Sequence, residues 1–283
     1  MSTTAVTTPA VSATAVSATV RSARRRRAAR KALLGALGVL GFLITWQLIP
    51  ALGLIDERFL PSATTTLGRL GELVLDLEFW RNVRRTLTYW ALGLAIATVL
   101  ATVLGTIAGL VPVLRRATHT SVEFLRPIPS VALIPLVILL FGIRTPAALV
   151  IIVYASFWQL FIQVLYGVGD VDAVARDTAD SFRLPRSHRL RYLILPTALP
   201  YFMTGIRLAA AVALILAVTA EMTIGVPGLG NVINLARNAG DSPTLYAIVV
   251  VTGLLGLVIN LAFRAVERKV LSWHQSVRGE VAQ

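Results

Sequence analysis

The sequence predicts an all-α protein that crosses a membrane six times, with both termini cytoplasmic. Three observations carry this. The 283 residues are 56% hydrophobic and only 14% charged, well below the ~25% charge of soluble domains. Residues 32–55, 86–114, 145–169 and 242–263 contain no Asp, Glu, Lys or Arg. Each run is long enough to cross a hydrocarbon layer of ~30 Å as a helix. The charges that remain are biased. If both ends and residues 115–126 and 170–207 lie inside, the inner regions hold 20 basic and 7 acidic residues, and the outer regions hold 7 of each. That is the inside-positive pattern, and it explains the net charge of +13 without a nucleic-acid partner.

Residues 1–31 read as a disordered basic tail. It opens with Ala, Val, Ser and Thr and closes on RSARRRRAARK. The apolar run that follows is too long for a cleaved signal and lacks a small-residue cleavage site. Span one and an outer connector occupy 32–85. In the connector, Leu67, Leu70, Leu73, Val74 and Leu77 recur at helical spacing opposite Arg69, Glu72 and Asp76, as in an amphipathic helix. Span two begins at Thr86. Its Gly105 and Gly109 share a face, suited to close packing within the chain or between subunits.

The core, 86–267, continues with RPIPSVALIPLVILLFG, which opens span three. Pro127 and Pro129 restrict the residues before them. Pro135 is expected inside the helix, freeing the Val131 carbonyl, either as a packing kink or as a bend in a gated pathway. In span four, Gln159 and Gln163 share a face; uncharged amides line a polar cavity or join helices. Span five carries Arg207, expected to snorkel to headgroups or to serve an anion path. Glu221, at its far end, precedes MTIGVPGLGNVI. Broken backbone at membrane depth must face protein or water, so Glu221 is expected to brace this loop or to meet the pathway. Residues 268–283 read as a cytoplasmic tail.

Residues 170–195 interrupt the apolar pattern. Val171, Val174, Ala175, Thr178, Ala179 and Phe182 form one helical face, with Arg176, Asp177, Asp180 and Arg183 elsewhere. Asp170 is the expected N-cap. Leu184-Pro185 should end the helix. Arg186 follows it, and a second short helix is expected from Ser187, with Pro196 starting span five. Two amphipathic helices beside a membrane read as a socket for a soluble partner.

This segment resembles the cytoplasmic loop of bacterial ABC-importer permeases, patterned Glu-Ala-Ala, then Gly, then an apolar residue and Leu-Pro. Asp177, Thr178 and Ala179 hold the opening positions, Arg183 replaces Gly, and Leu193, Leu195 and Pro196 complete the pattern. LRPIPSVALIPLVILLFG, TALPYFMTGIRLA, AEMTIGVPGLG and LLGLVINLAFRAVERKVLSWH are similar to the nitrate/sulfonate/taurine type. The resemblance implies a type I ABC-importer permease fold and a homodimer in the bacterial inner membrane. It also implies two ATPase subunits gripping 170–195 and an extracytoplasmic solute-binding protein. The cargo would be a small alkanesulfonate, taurine, nitrate or related anion, with a nitrogenous vitamin precursor as the alternative. The chain has no GxxxxGK[ST], so the phosphate cradle of an ATPase is missing. ATP and Mg would be used by the partner, with no cofactor bound here and no catalytic or metal site. An ATP-independent transporter or channel is the rival from a different class; two halves with matched broken helices would favour it.

Overall fold

In this computed structural model, residues 13–272 are described. The helices are α1 (Ala13–Ala51), α2 (Ala63–Val74), α3 (Leu77–Leu110), α4 (Pro112–Leu125), α5 (Ile134–Phe141), α6 (Thr145–Gly169), α7 (Ala173–Ser181), α8 (Arg186–Arg189), α9 (Leu195–Ile224), α10 (Leu229–Ala239) and α11 (Ser242–Val270). Among the described residues, five helices are long and apolar enough to cross a membrane, or six if one bent pair counts as a span. The chain divides into two compact units at Thr65–Thr66. In the first, α1 takes in residues 13–31, assigned above to a disordered tail; residues 1–12 and 273–283 lie outside the described residues.

In the second unit, α3, α6 and α9 form the core. Small residues let these helices approach closely: Ala209, Ala210, Ala213, Ala217 and Ala220 form the buried stripe of α9. A Cβ on Gly105 would lie 3.0 Å from Val164, and one on Gly109 would lie 2.9 Å from Val168. These two glycines therefore pack within the chain, against α6.

Several expected boundaries move. Helix α3 starts at Leu77, not Thr86, because Asp76 caps it by accepting from Glu78 N–H. The connector is correspondingly shorter, and Glu78 pairs with Arg81 and Arg85 on the first turns of α3. Arg69 of α2 is half-buried: it donates to Thr244 Oγ1 at 2.8 Å and pairs with Glu72.

Span three is not one helix. Helix α4 and the segment Ser130–Phe141 meet at 81°, since Pro127 and Pro129 interrupt the ladder between them. Pro129 precedes a 3-10 turn, Ser130–Leu133. Pro135 sits at the start of α5, where its missing N–H is harmless. The Val131 carbonyl is not freed; it accepts from Ile134 N–H. Pro196 stands in the first turn of α9, as expected, but that helix does not begin from a loop. Helices α8 and α9 join through a π-helical turn, Leu190–Ile194, into one run, Arg186–Ile224. Leu195 N–H bonds to Leu190 O, and this wider register absorbs the N–H that Pro196 lacks.

Candidate functional site

The candidate site has three parts: the loop between α6 and α8, a cavity beside it, and a buried knot at the start of α10.

In the loop, Asp172 rather than Asp170 caps α7, accepting from Ala175 N–H at 2.9 Å. The apolar face predicted for α7 is divided. Val171 and Ala179 are buried, whereas Val174 and Phe182 are 72% and 79% exposed. Arg176 and Asp177 are exposed. Thr178 spends its hydroxyl on Val174 O. Sequence periodicity groups these side chains on one helix; only packing shows which turn inward.

The turn is made at Arg183, not around Leu184-Pro185. Arg183 has φ +48°, the one positive φ at a non-glycine among the described residues. Leu184 N–H bonds to Ala179 O and Arg183 N–H to Asp180 O, both at 2.9 Å. That is a Schellman closure, which favours glycine at its left-handed position. Pro185 then precedes α8 with extended backbone, and Arg186 opens that helix. Arg189, which the sequence did not single out, ties the turn together: it pairs with Asp180 and donates to Leu184 O at 2.9 Å. Replacing Arg183 with Gly is expected to relieve about 1 kcal/mol of left-handed strain. Slower amide exchange at Leu184, by roughly fivefold, is the expected readout.

The cavity, about 660 Å3, is lined by Gln163, Asp170, Thr197, Tyr201 and Thr204 among others, and Pro196 borders it. Tyr201 donates to Asp170 Oδ2 at 2.6 Å. Asp170 is the one charged side chain in its lining. Gln159 is exposed, one turn from Gln163, but does not line it. Leu195 is exposed where the π-helical turn passes into α9. Pro129 and Pro135 lie in the bent segment already described. Arg207 pairs with Glu267 of α11 at 2.9 Å.

The knot surrounds Glu221, which is 0% exposed. Its Oε2 accepts from Thr86 Oγ1 and from Gly230 N–H, each at 2.9 Å. Thr86 Oγ1 in turn accepts from Leu229 N–H. Two of the unpaired N–H groups at the start of α10 are thus satisfied from α9 and α3. Glycine is required here by contact. A Cβ on Gly228 would lie 2.2 Å from the Glu221 carboxyl carbon, and one on Gly230 2.0 Å from Val218 O. Thr86 escaped the sequence reading because it lies 135 residues from Glu221 and no local pattern marks it.

Long apolar helices around a small-residue core, with a charged turn of helices between two of them, define a multi-pass membrane permease. The chain belongs to the family described as binding-protein-dependent transport system inner membrane component, whose model matches residues 101–272. It is 29% identical over 249 residues to the taurine transport system permease protein TauC of Escherichia coli K12, covering 86% of this chain and 90% of that one. It is 31% identical to the putative aliphatic sulfonates transport permease protein SsuC of the same organism, over 83% and 89% of the two chains. An inward-facing structure of the MetNI methionine ABC transporter shares the fold, with TM-score 0.60, 18% identity and coverage of 68% of this chain and 96% of that chain.

Proposed function

We propose that this chain is the membrane-spanning subunit of an ATP-driven importer for a small organic anion of the sulfonate class. Two copies would form the path, two ATPase subunits would dock on the cytoplasmic loop 170–195, and an extracytoplasmic binding protein would deliver the solute. ATP-driven closure would draw the two loops together and turn the path outward, and hydrolysis would reset it. Such a two-state switch needs differential binding to its two states.

The observation that carries this reading is the loop itself. Val174 and Phe182 are exposed beside a charged surface, while the turn beneath them is braced by Arg189. A solvated connector has no need of a rigid turn that presents apolar side chains.

Taurine and sulfonate relatives support the substrate class. Within that class, the cavity beside Gln163 supports an aminosulfonate over a bare anion, whether an alkanesulfonate or nitrate, since Asp170 offers a partner for an ammonium group and repels an anion without one. The experiment is co-purification with the candidate ATPase subunit, followed by ATP turnover with and without solute-loaded binding protein. Uptake that persists after loss of the ATPase would overturn the proposal. Within it, Arg183→Glu is expected to lower ATPase retention in detergent pull-downs, whereas Arg237→Glu is not. Equal retention would remove Arg183 from the contact.

A further inference from the structure

We infer that the base of the loop holds a binding site for a phosphate-class anion, built from Arg115, Arg176 and Arg189. The three side chains come from α4, α7 and α8 and line one cavity of about 410 Å3. Among the described residues, no Asp or Glu lines it. Arg189 is committed to Asp180, and Glu123 of α4 is paired with His119 at 3.5 Å. Among the described residues, neither Arg115 nor Arg176 makes an ion pair. Two guanidinium groups of the lining, Arg115 and Arg176, thus stand without an ion-pair partner beside the Arg189–Asp180 pair.

The walls sharpen the point. Leu110, Val168 and Leu193 supply apolar surface, which raises the strength of any charge interaction in the cavity. Arg115 is held against the end of α6, where a Cβ on Gly169 would lie 3.1 Å from its Nη1. Like charges gathered beside apolar surface repel, and a bound anion offsets that repulsion. Guanidinium forks match the oxygens of a phosphate, monoester or diester, in paired hydrogen bonds. Two sources present that chemistry at the end of α3: the headgroup of an anionic phospholipid and a soluble phosphate. Because α7 and α8 each contribute an arginine, either ligand would bridge the loop to the ends of α3 and α4. The inference concerns binding and stands apart from the coupling reading above.

The test uses the full chain in mild detergent, stripped of lipid. Native mass spectrometry measures retention of added phosphatidylglycerol against phosphatidylcholine, and thermal unfolding measures protection by inorganic phosphate. The Arg115→Gln/Arg176→Gln double variant is expected to lose at least one ligand by about tenfold in affinity, the loss of two charge-assisted contacts. Loss of phosphatidylglycerol retention alone assigns the site to a lipid headgroup; loss of phosphate protection assigns it to a soluble anion. If the double variant does not elute as a single species, Arg176→Gln at its exposed position repeats the comparison, with a loss of about threefold expected. Retention and protection unchanged from wild type in the properly folded variant overturn the site, as does equal loss in Arg237→Gln.

Discussion

Replacing Phe182 with Ala is expected to cut affinity for the ATPase subunit by roughly thirtyfold, or about 2 kcal/mol, without unfolding the chain. Phe182 ends α7 with 79% of its surface exposed, so little of its own fold rests on it. Aromatic anchors carry a large share of interface energy when a partner pocket desolvates them. The charged neighbours Arg176 and Asp177 are exposed; they are expected to steer encounter more than to hold the complex. Leu139→Ala is the control, since Leu139 of α5 is 81% exposed but outside the loop. A binding titration in detergent reads both variants, and thermal unfolding confirms that each is folded. Affinity for Phe182→Ala within twofold of wild type would show that the loop's apolar side chains are not the grip.

The second large effect is expected at the knot. Gly230→Ala should leave little folded protein, because the new methyl would lie 2.0 Å from Val218 O, backbone that cannot swing aside. Helix α10 would have to move away from α9, breaking both bonds to Thr86 and Glu221. Glu221→Leu removes the acceptor of two buried donors, each left unsatisfied at about 1–3 kcal/mol. Glu221→Gln keeps a carbonyl oxygen for them and should be much milder. The measurement is the yield of monodisperse protein and its unfolding temperature. A leucine variant as stable as the glutamine variant would show that the bonds to Thr86 and Gly230 do not hold α10 in place.

The loop shows how far local sequence reaches. Its amphipathic face was readable from the spacing of Val171, Ala179 and Phe182, yet burial of the first two and exposure of the third depend on what α7 packs against. Arg183 is readable as a departure from a glycine pattern, and Leu184-Pro185 as the end of the helix, but not that the left-handed residue is Arg183 itself. The chain keeps the left-handed turn regardless, because the bonds of Leu184 to Ala179 and of Arg189 to Leu184 outweigh a strain of about 1–2 kcal/mol. Proline teaches the same lesson. Local sequence places Pro135 inside a helix, but a 3-10 turn precedes it and it falls in the first turn of α5, where it costs no hydrogen bond; Pro196 opens α9 as expected, and only the structure shows the wider register that joins α9 to α8.

The sequence by itself determined that this protein lives in a membrane as a bundle of helices, because uncharged runs of twenty or more residues have no other stable setting. Ordered motifs along the chain were enough to mark its family. Only the tertiary structure decided that Glu221 meets Thr86 and Gly230, that Arg207 meets Glu267, and that Gly105 and Gly109 face α6. Those pairings join residues far apart in the chain, and an apolar helix carries no mark of which neighbour it faces when every side is apolar.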